Sequence, residues 1–154
     1  MMTLAILKRK LRPVYLLALL IFFSCKGPSS ITTVPGTDAS EIDGAWELVS
    51  LSGESSDTFR QLYPVKKPFI KLSFADNRIT GYTGCNSFSG GFTHKEGQLD
   101  FTGPFASTKM ACGTEGEKVF FETLKQAAAY RLLKGKKMEL LAGEQVLMQF
   151  RQQP

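Results

Sequence analysis

Phe69-Ile70-Lys71-Leu72-Ser73-Phe74, then Ala75-Asp76-Asn77, then Arg78-Ile79-Thr80-Gly81-Tyr82 is the stretch that decides the fold. Side chains alternate across an extended chain, so Ile70, Leu72 and Phe74 share one face and Lys71 and Ser73 the other. That is a strand with one buried and one wet face. Asp76-Asn77 supplies turn chemistry, and the next five residues return as a second strand. The same grammar recurs on both sides. Residues 46–51 (WELVSL) are β-prone and half alternating. Residues 88–92 and 98–101 flank a turn at His94-Lys95-Glu96-Gly97. Residues 130–133, 137–141 and 145–150 are joined by turns at Gly135 and Gly143. In the last of these, Val146, Met148 and Phe150 alternate with Gln145, Leu147 and Gln149. Many short strands with regular turn signals predict a mainly β fold, an antiparallel barrel or sandwich.

One segment departs from this pattern. Thr114-Glu115-Gly116-Glu117 has the form of a capping box, with threonine as the cap and Glu117 at the third helical position. Phe120, Phe121, Leu124, Ala127 and Ala128 then recur at helical spacing. One helix of about 14 residues is expected, its apolar stripe packed on the sheet.

The chain has 154 residues, enough for one domain. Its formal net charge of +5 is concentrated at the start, where Lys8, Arg9, Lys10 and Arg12 meet no acid before Cys25. Without residues 1–24 the remainder carries about +1, so bulk charge gives no reason to expect a nucleic-acid partner. Residues 8–12 (KRKLR) followed by 14–23 (VYLLALLIFF) and Ser24 read as a secretory signal peptide over residues 1–24. The apolar run is too short for an ordinary membrane anchor, which needs about 20 residues. A transmembrane helix starting near Leu4 is the alternative, and the charges at 8–12 interrupt it.

Phe22-Phe23-Ser24-Cys25 resembles a bacterial lipobox, in which a small residue precedes a lipidated cysteine. Phe at 22 and 23 departs from that pattern; the position of Cys25, directly after the apolar run, carries the reading. Two acyl chains on Cys25 would make dissociation from a bilayer negligible, at about 0.8 kcal/mol per buried CH₂. Cleavage without lipidation is the alternative. Lys26 stands where an acidic retention signal would stand, so delivery to an outer membrane, facing the periplasm, is expected. Residues 25–40, rich in Ser, Thr, Pro and Gly, read as a flexible tether. The folded domain is expected over residues 41–151.

Three pieces of that domain line up with a known family. Gly81-Tyr82-Thr83-Gly84-Cys85-Asn86-Ser87-Phe88-Ser89-Gly90 resembles the "GCN…SG" segment of the META/HslJ domain family. Phe105-Ala106-Ser107-Thr108-Lys109-Met110-Ala111-Cys112 resembles its "ASTxMAC" segment. Asp43-Gly44-Ala45-Trp46 matches its opening "GxW" strand, and the capped helix before three terminal strands has the same order. The resemblance implies a small antiparallel lipocalin-like β-barrel with one α-helix. It also implies an envelope protein, in some members heat-shock inducible, with no established catalytic activity and no agreed ligand.

Three cysteines less one lipid anchor leave Cys85 and Cys112, both in the exported part, where disulfides persist. A Cys85–Cys112 bridge would close a loop of about 28 residues and stabilise the fold by roughly 3.6 kcal/mol in the loop-entropy treatment. Two buried free thiols, or a redox or nucleophilic role, are the alternatives. A cysteine nucleophile needs a base, and His94, the single histidine, sits in a turn signal. CxxC spacing is absent, and two Cys with one His make no familiar zinc pattern. No metal, no cofactor and no enzyme activity is expected. Asn86, Ser87, Ser107 and Thr108 flank the cysteines and are expected to satisfy backbone groups at tight turns, as Asn and Ser readily do; the alternative is a candidate binding loop at one barrel end. Trp46 is expected to close the floor of the core.

The function expected is that of a non-enzymatic, lipid-anchored envelope module, stress-related or binding an envelope protein or small amphiphile. The many phenylalanines favour a filled interior over an open cavity. The alternative is an inhibitor or binding partner of a secreted hydrolase such as a lysozyme or protease, acting through residues 84–91.

Overall fold

The computed structural model describes residues 39–154; residues 1–38, with the expected signal peptide, Cys25 and most of the tether, lie outside the described residues. A short 3-10 turn, Ala39–Ile42, leads into strand β1, Gly44–Leu51. Helix α1, Ser56–Leu62, follows, then β2 (Phe69–Ser73), β3 (Arg78–Tyr82), β4 (Ser87–Gly91), β5 (Thr93–Lys95), β6 (Gln98–Asp100) and β7 (Phe105–Ser107). Helix α2, Gly116–Leu124, precedes β8 (Ala129–Leu133), β9 (Lys137–Ala142) and β10 (Gln145–Gln152).

All ten strands form one antiparallel sheet in the order β5-β6-β8-β9-β10-β1-β2-β3-β4-β7. β4 and β5 are one strand bent at Phe92, and β6 and β7 one strand interrupted at residues 101–104. β4 pairs with β3 and β7, while β5 pairs with β6, so the two ends of the ladder meet through the chain itself. The sheet therefore curls into a barrel-like form of eight effective strands. It is thinnest between β6 and β8, which share the single pair Gln98↔Ala129. Helix α2 packs against the sheet and buries Phe120 and Leu124 in the core.

Ile70 and Leu72 are fully buried, as the alternation predicts, and the buried Ile79 of β3 opposes Leu72. Trp46 is 1% exposed and its Nε1 donates to the Ile42 carbonyl at 2.9 Å, so the entering turn and the floor of the core are tied together. Phe101, Phe120 and Phe150 fill the interior. The alternation expected in β10 fails at one place. Val146 opposes Leu141 and Met148 opposes Leu140, leaving Leu147 as an extra residue, buried with its carbonyl accepting from the Ser52 N–H at 2.8 Å. A bulge of this kind bends the strand and resets which side faces inward.

Two expectations about helices are corrected. The described residues hold two α-helices, not one. Ser55 caps α1, accepting from the Thr58 N–H at 3.1 Å, and Arg60 pairs with Asp57 one turn on. Only Phe59 of α1 is buried, too little periodicity to read from sequence. Helix α2 has nine residues rather than about 14. The Ala128 N–H donates to Leu141 and its carbonyl accepts from Leu99, so the sheet claims that backbone before the helix can continue. The capping box does not form: Glu117 is held by Thr83, and Thr114 accepts from the Gly116 N–H rather than from that of Glu117.

Candidate functional site

The two motif segments meet at one end of the barrel. Gly84 carries φ +96°, and a Cβ there would lie 2.4 Å from the Tyr63 ring. Only glycine gives the turn both its left-handed backbone and this close approach. Tyr63 is packed between Gly84 and Gly116 and donates from its hydroxyl to the Gly116 carbonyl at 3.1 Å. Burial, and secondarily the negative charge of Glu54, push its phenol well above its ordinary value.

Inside the turn, the fully buried Thr83 hydroxyl donates to Glu117 Oε2 at 2.7 Å and accepts from the Asn86 N–H at 3.0 Å. Glu117 is thereby taken from the capping box. Thr114, the other half of the box, donates to the Leu62 carbonyl at 3.0 Å and accepts from the Gly116 N–H at 3.4 Å, not from the Glu117 N–H that a capping box requires.

Asn86 is the centre of the arrangement and is 3% exposed. Its Oδ1 accepts from the Met110 N–H and from the Thr108 hydroxyl, each at 2.8 Å. Its Nδ2 donates to the Met110 carbonyl at 3.2 Å and to Cys85 Sγ at 3.4 Å. All four hydrogen-bonding positions of the amide are used, which fixes its orientation. One side chain thus grips the Met110 backbone at both polar groups, as a neighbouring strand would. Two residues further on, Cys112 is joined to Cys85 by a disulfide, with Cα atoms 5.8 Å apart. Cys85 is buried and Cys112 exposed. With both sulfurs so bonded, neither is a free thiolate for nucleophilic chemistry.

The four candidate loop residues separate into two roles. Asn86 is interior and structural. Ser87 and Ser107 are exposed strand residues, and the Thr108 N–H donates to the Ser87 carbonyl at 3.0 Å. The exposed Thr108 turns its hydroxyl toward Asn86. Residues 84–91 are not a free loop: 87–91 form β4, hydrogen-bonded on both sides to β3 and β7. The free segment at this end is 108–113. Met110 projects from it, 59% exposed, beside an open groove of about 610 Å³ lined by Ala111, Gly113, Lys118 and Phe121 among others. Sequence reasoning did not single out Met110 or Tyr63, and it gave Glu117 only a local capping role. Their roles arise from partners more than 20 positions away.

His94 lies in β5 rather than in the turn, which is made by Glu96 and Gly97 with positive φ. It is exposed, and its ring packs edge-on against Phe74 at 4.8 Å. Among the described residues there is no group of three or more His, Cys, Asp or Glu placed to hold a metal ion, and no helix long and apolar enough to cross a membrane.

The fold resembles two solved structures. An NMR structure of a protein from Burkholderia xenovorans has a TM-score of 0.55 and 20% identity, covering 83% of this chain and 96% of that one. A crystal structure of a DUF4847 family protein from Bacteroides vulgatus has a TM-score of 0.50 and 16% identity, covering 73% and 96% respectively. At these identities the likeness shows the fold alone. No curated protein matches the chain. The family comparison agrees with the two cysteine segments and the clamp they build: residues 39–154 match the META domain. The chain belongs to the META domain family.

Proposed function

We propose that the protein is a non-enzymatic envelope protein, lipid-anchored at Cys25, that binds a protein partner through residues 108–113. The observation that carries the reading is Met110, whose backbone is gripped at both polar groups while its side chain is 59% exposed. A loop ordered in advance avoids the entropy loss that binding otherwise imposes. Methionine is enriched at interfaces and adapts to irregular partner surfaces. A packed interior of Trp46, Phe101, Phe120 and Phe150 favours a partner at the surface over an amphiphile within. The eight-strand count supports the lipocalin-like reading of the barrel. The signal peptide and Cys25 support an outer-membrane anchor facing the periplasm; a stress-related role rests on the family resemblance.

A second reading, an inhibitor of a secreted hydrolase, is favoured by the same rigidity, with residues 108–113 in place of 84–91 as the inserted loop. Such an interface would bury about 1,600 Å² in total. The test is a photo-crosslinking residue at position 110 of the full chain, expressed in its own cell envelope. One discrete protein adduct is expected, absent when the same residue stands at Lys95. A hydrolase in that adduct selects the inhibitor reading; no adduct beyond that at Lys95 contradicts both. Labelling with a fatty-acid analogue is expected for the wild type and not for Cys25→Ala.

A further inference from the structure

A second surface lies at the other end of the barrel, away from Met110. β8 and β9 are joined by Lys134-Gly135-Lys136, with Lys137 opening β9. Leu133 and Lys137 are cross-strand partners, and Lys137 is in turn the partner of Arg151 on β10. These three form one row on the outer face, since Leu132, Met138 and Phe150 between them point to the core. Lys134, Lys136, Lys137 and Arg151 are all exposed. None of the four has an ion pair among the described residues. The carboxylates nearest in register are already engaged: Glu139 is bonded by Arg131 and Glu47 pairs with Lys67 at 3.7 Å. Leu133 stands beside these cations 39% exposed. Lys136 adopts φ +58°, a left-handed conformation that Gly or Asn takes more easily. The turn therefore holds a lysine where its backbone gives no reason for one.

This hairpin adjoins the place where the chain enters the domain. The Gln152 N–H donates to the Lys136 carbonyl and the Gln153 N–H to the Ala45 carbonyl, each at 2.9 Å. The hairpin thus sits about two strand spacings, ~10 Å, from Ala45. The acids on the entering segment are Asp38, Glu41 and Asp43, one fewer than the four cations of the hairpin face.

We propose that residues 133–137, with Arg151, form a docking face for anionic phospholipid headgroups, with Leu133 entering the headgroup layer. The proposal rests on the reading of Cys25 as lipid-bearing for its nearness to a bilayer. If the 13 residues between Cys25 and Ala39 are the flexible tether that their composition leads one to expect, their mean reach would be ~20 Å, short enough to hold the entry end near a bilayer. Each lysine or arginine near an anionic surface strengthens attachment roughly fivefold, and the effect falls off within a Debye length. The face would hold the basic end down and leave residues 108–113 directed away from the lipid.

The test uses the full chain on vesicles of phosphatidylcholine alone and of phosphatidylcholine mixed with phosphatidylglycerol. Lysines are acetylated briefly and their reactivity is read by mass spectrometry. Lys134, Lys136 and Lys137 are expected to be protected about fivefold or more on the anionic vesicles, with Lys95 and Lys118 unchanged. In K134E/K136E the protection of Lys137 is expected to vanish. Equal reactivity on both vesicles, or protection spread evenly over every lysine, overturns the docking face. Retention on the neutral vesicles reads the N-terminal attachment separately. Loss of that retention contradicts the anchor, while the lysine pattern on anionic vesicles still decides the hairpin.

Discussion

Residues 108–113 and the turn at 134–136 are both exposed connections, held in place by opposite means. The turn joins neighbouring strands and is carried by local hydrogen bonding, with Gly135 at φ +80° and nothing within 4 Å of where its Cβ would stand. Residues 108–113 have no adjacent strand beyond Thr108 and gain their order from a disulfide and one buried amide side chain. A hairpin is specified by a few consecutive residues. A segment without secondary structure must satisfy its backbone polar groups through side chains or water. The comparison shows where the sequence has invested polar chemistry: at the displayed loop, not at the simple turn.

Breaking the long-range fastening should have the largest effect. Cys85→Ala with Cys112→Ala is expected to lower stability by about 3–4 kcal/mol in chemical denaturation. Reducing agent should lower the melting temperature of the wild type and leave that variant unmoved. Asn86→Ala is expected next, at about 2–3 kcal/mol, because it strips the Met110 N–H and carbonyl of partners in a partly buried site. Tyr63→Phe follows at about 1 kcal/mol, because it removes the buried hydrogen bond from the phenol to the Gly116 carbonyl.

Tyr63 also gives a pH signature. Its folded phenol titrates above its ordinary value of 10.0, so the folded state keeps the proton longer than the unfolded state. The stabilisation is complete below pH 10.0 and is lost as pH rises beyond it. Tyr63→Phe should flatten that alkaline limb. The smallest effect belongs to the turn. Gly135→Ala is expected to cost about 1 kcal/mol through backbone strain alone, without altering exchange or reactivity near Met110.

The same contrast explains what was legible in the sequence. The hairpin strands were readable because alternation and turn residues are local, and Ile70, Leu72 and Ile79 stand where the pattern puts them. The cysteine pair was reachable by counting. Helix α1 was not, since its seven residues bury only Phe59. The capping box at Thr114 was misread because Thr83 and the Leu62 carbonyl, distant in sequence, compete for its side chains. Asn86 was expected to satisfy backbone groups or to shape a binding surface; it does the first, but for a backbone 24 positions away, which no local pattern marks. The bent strands β4–β5 and β6–β7 likewise have no local mark, so ten short strands hide eight longer ones.

Amide hydrogen exchange at Met110 in the native full chain tests the clamp most directly. Its N–H is expected to exchange as slowly as the amides of β3 and β4, and to become fast in Asn86→Ala while those strand amides stay protected. Exchange of the wild-type Met110 amide at the rate of the neighbouring Lys109 and Ala111 amides, as in an open loop, would contradict the clamped display on which the functional reading stands.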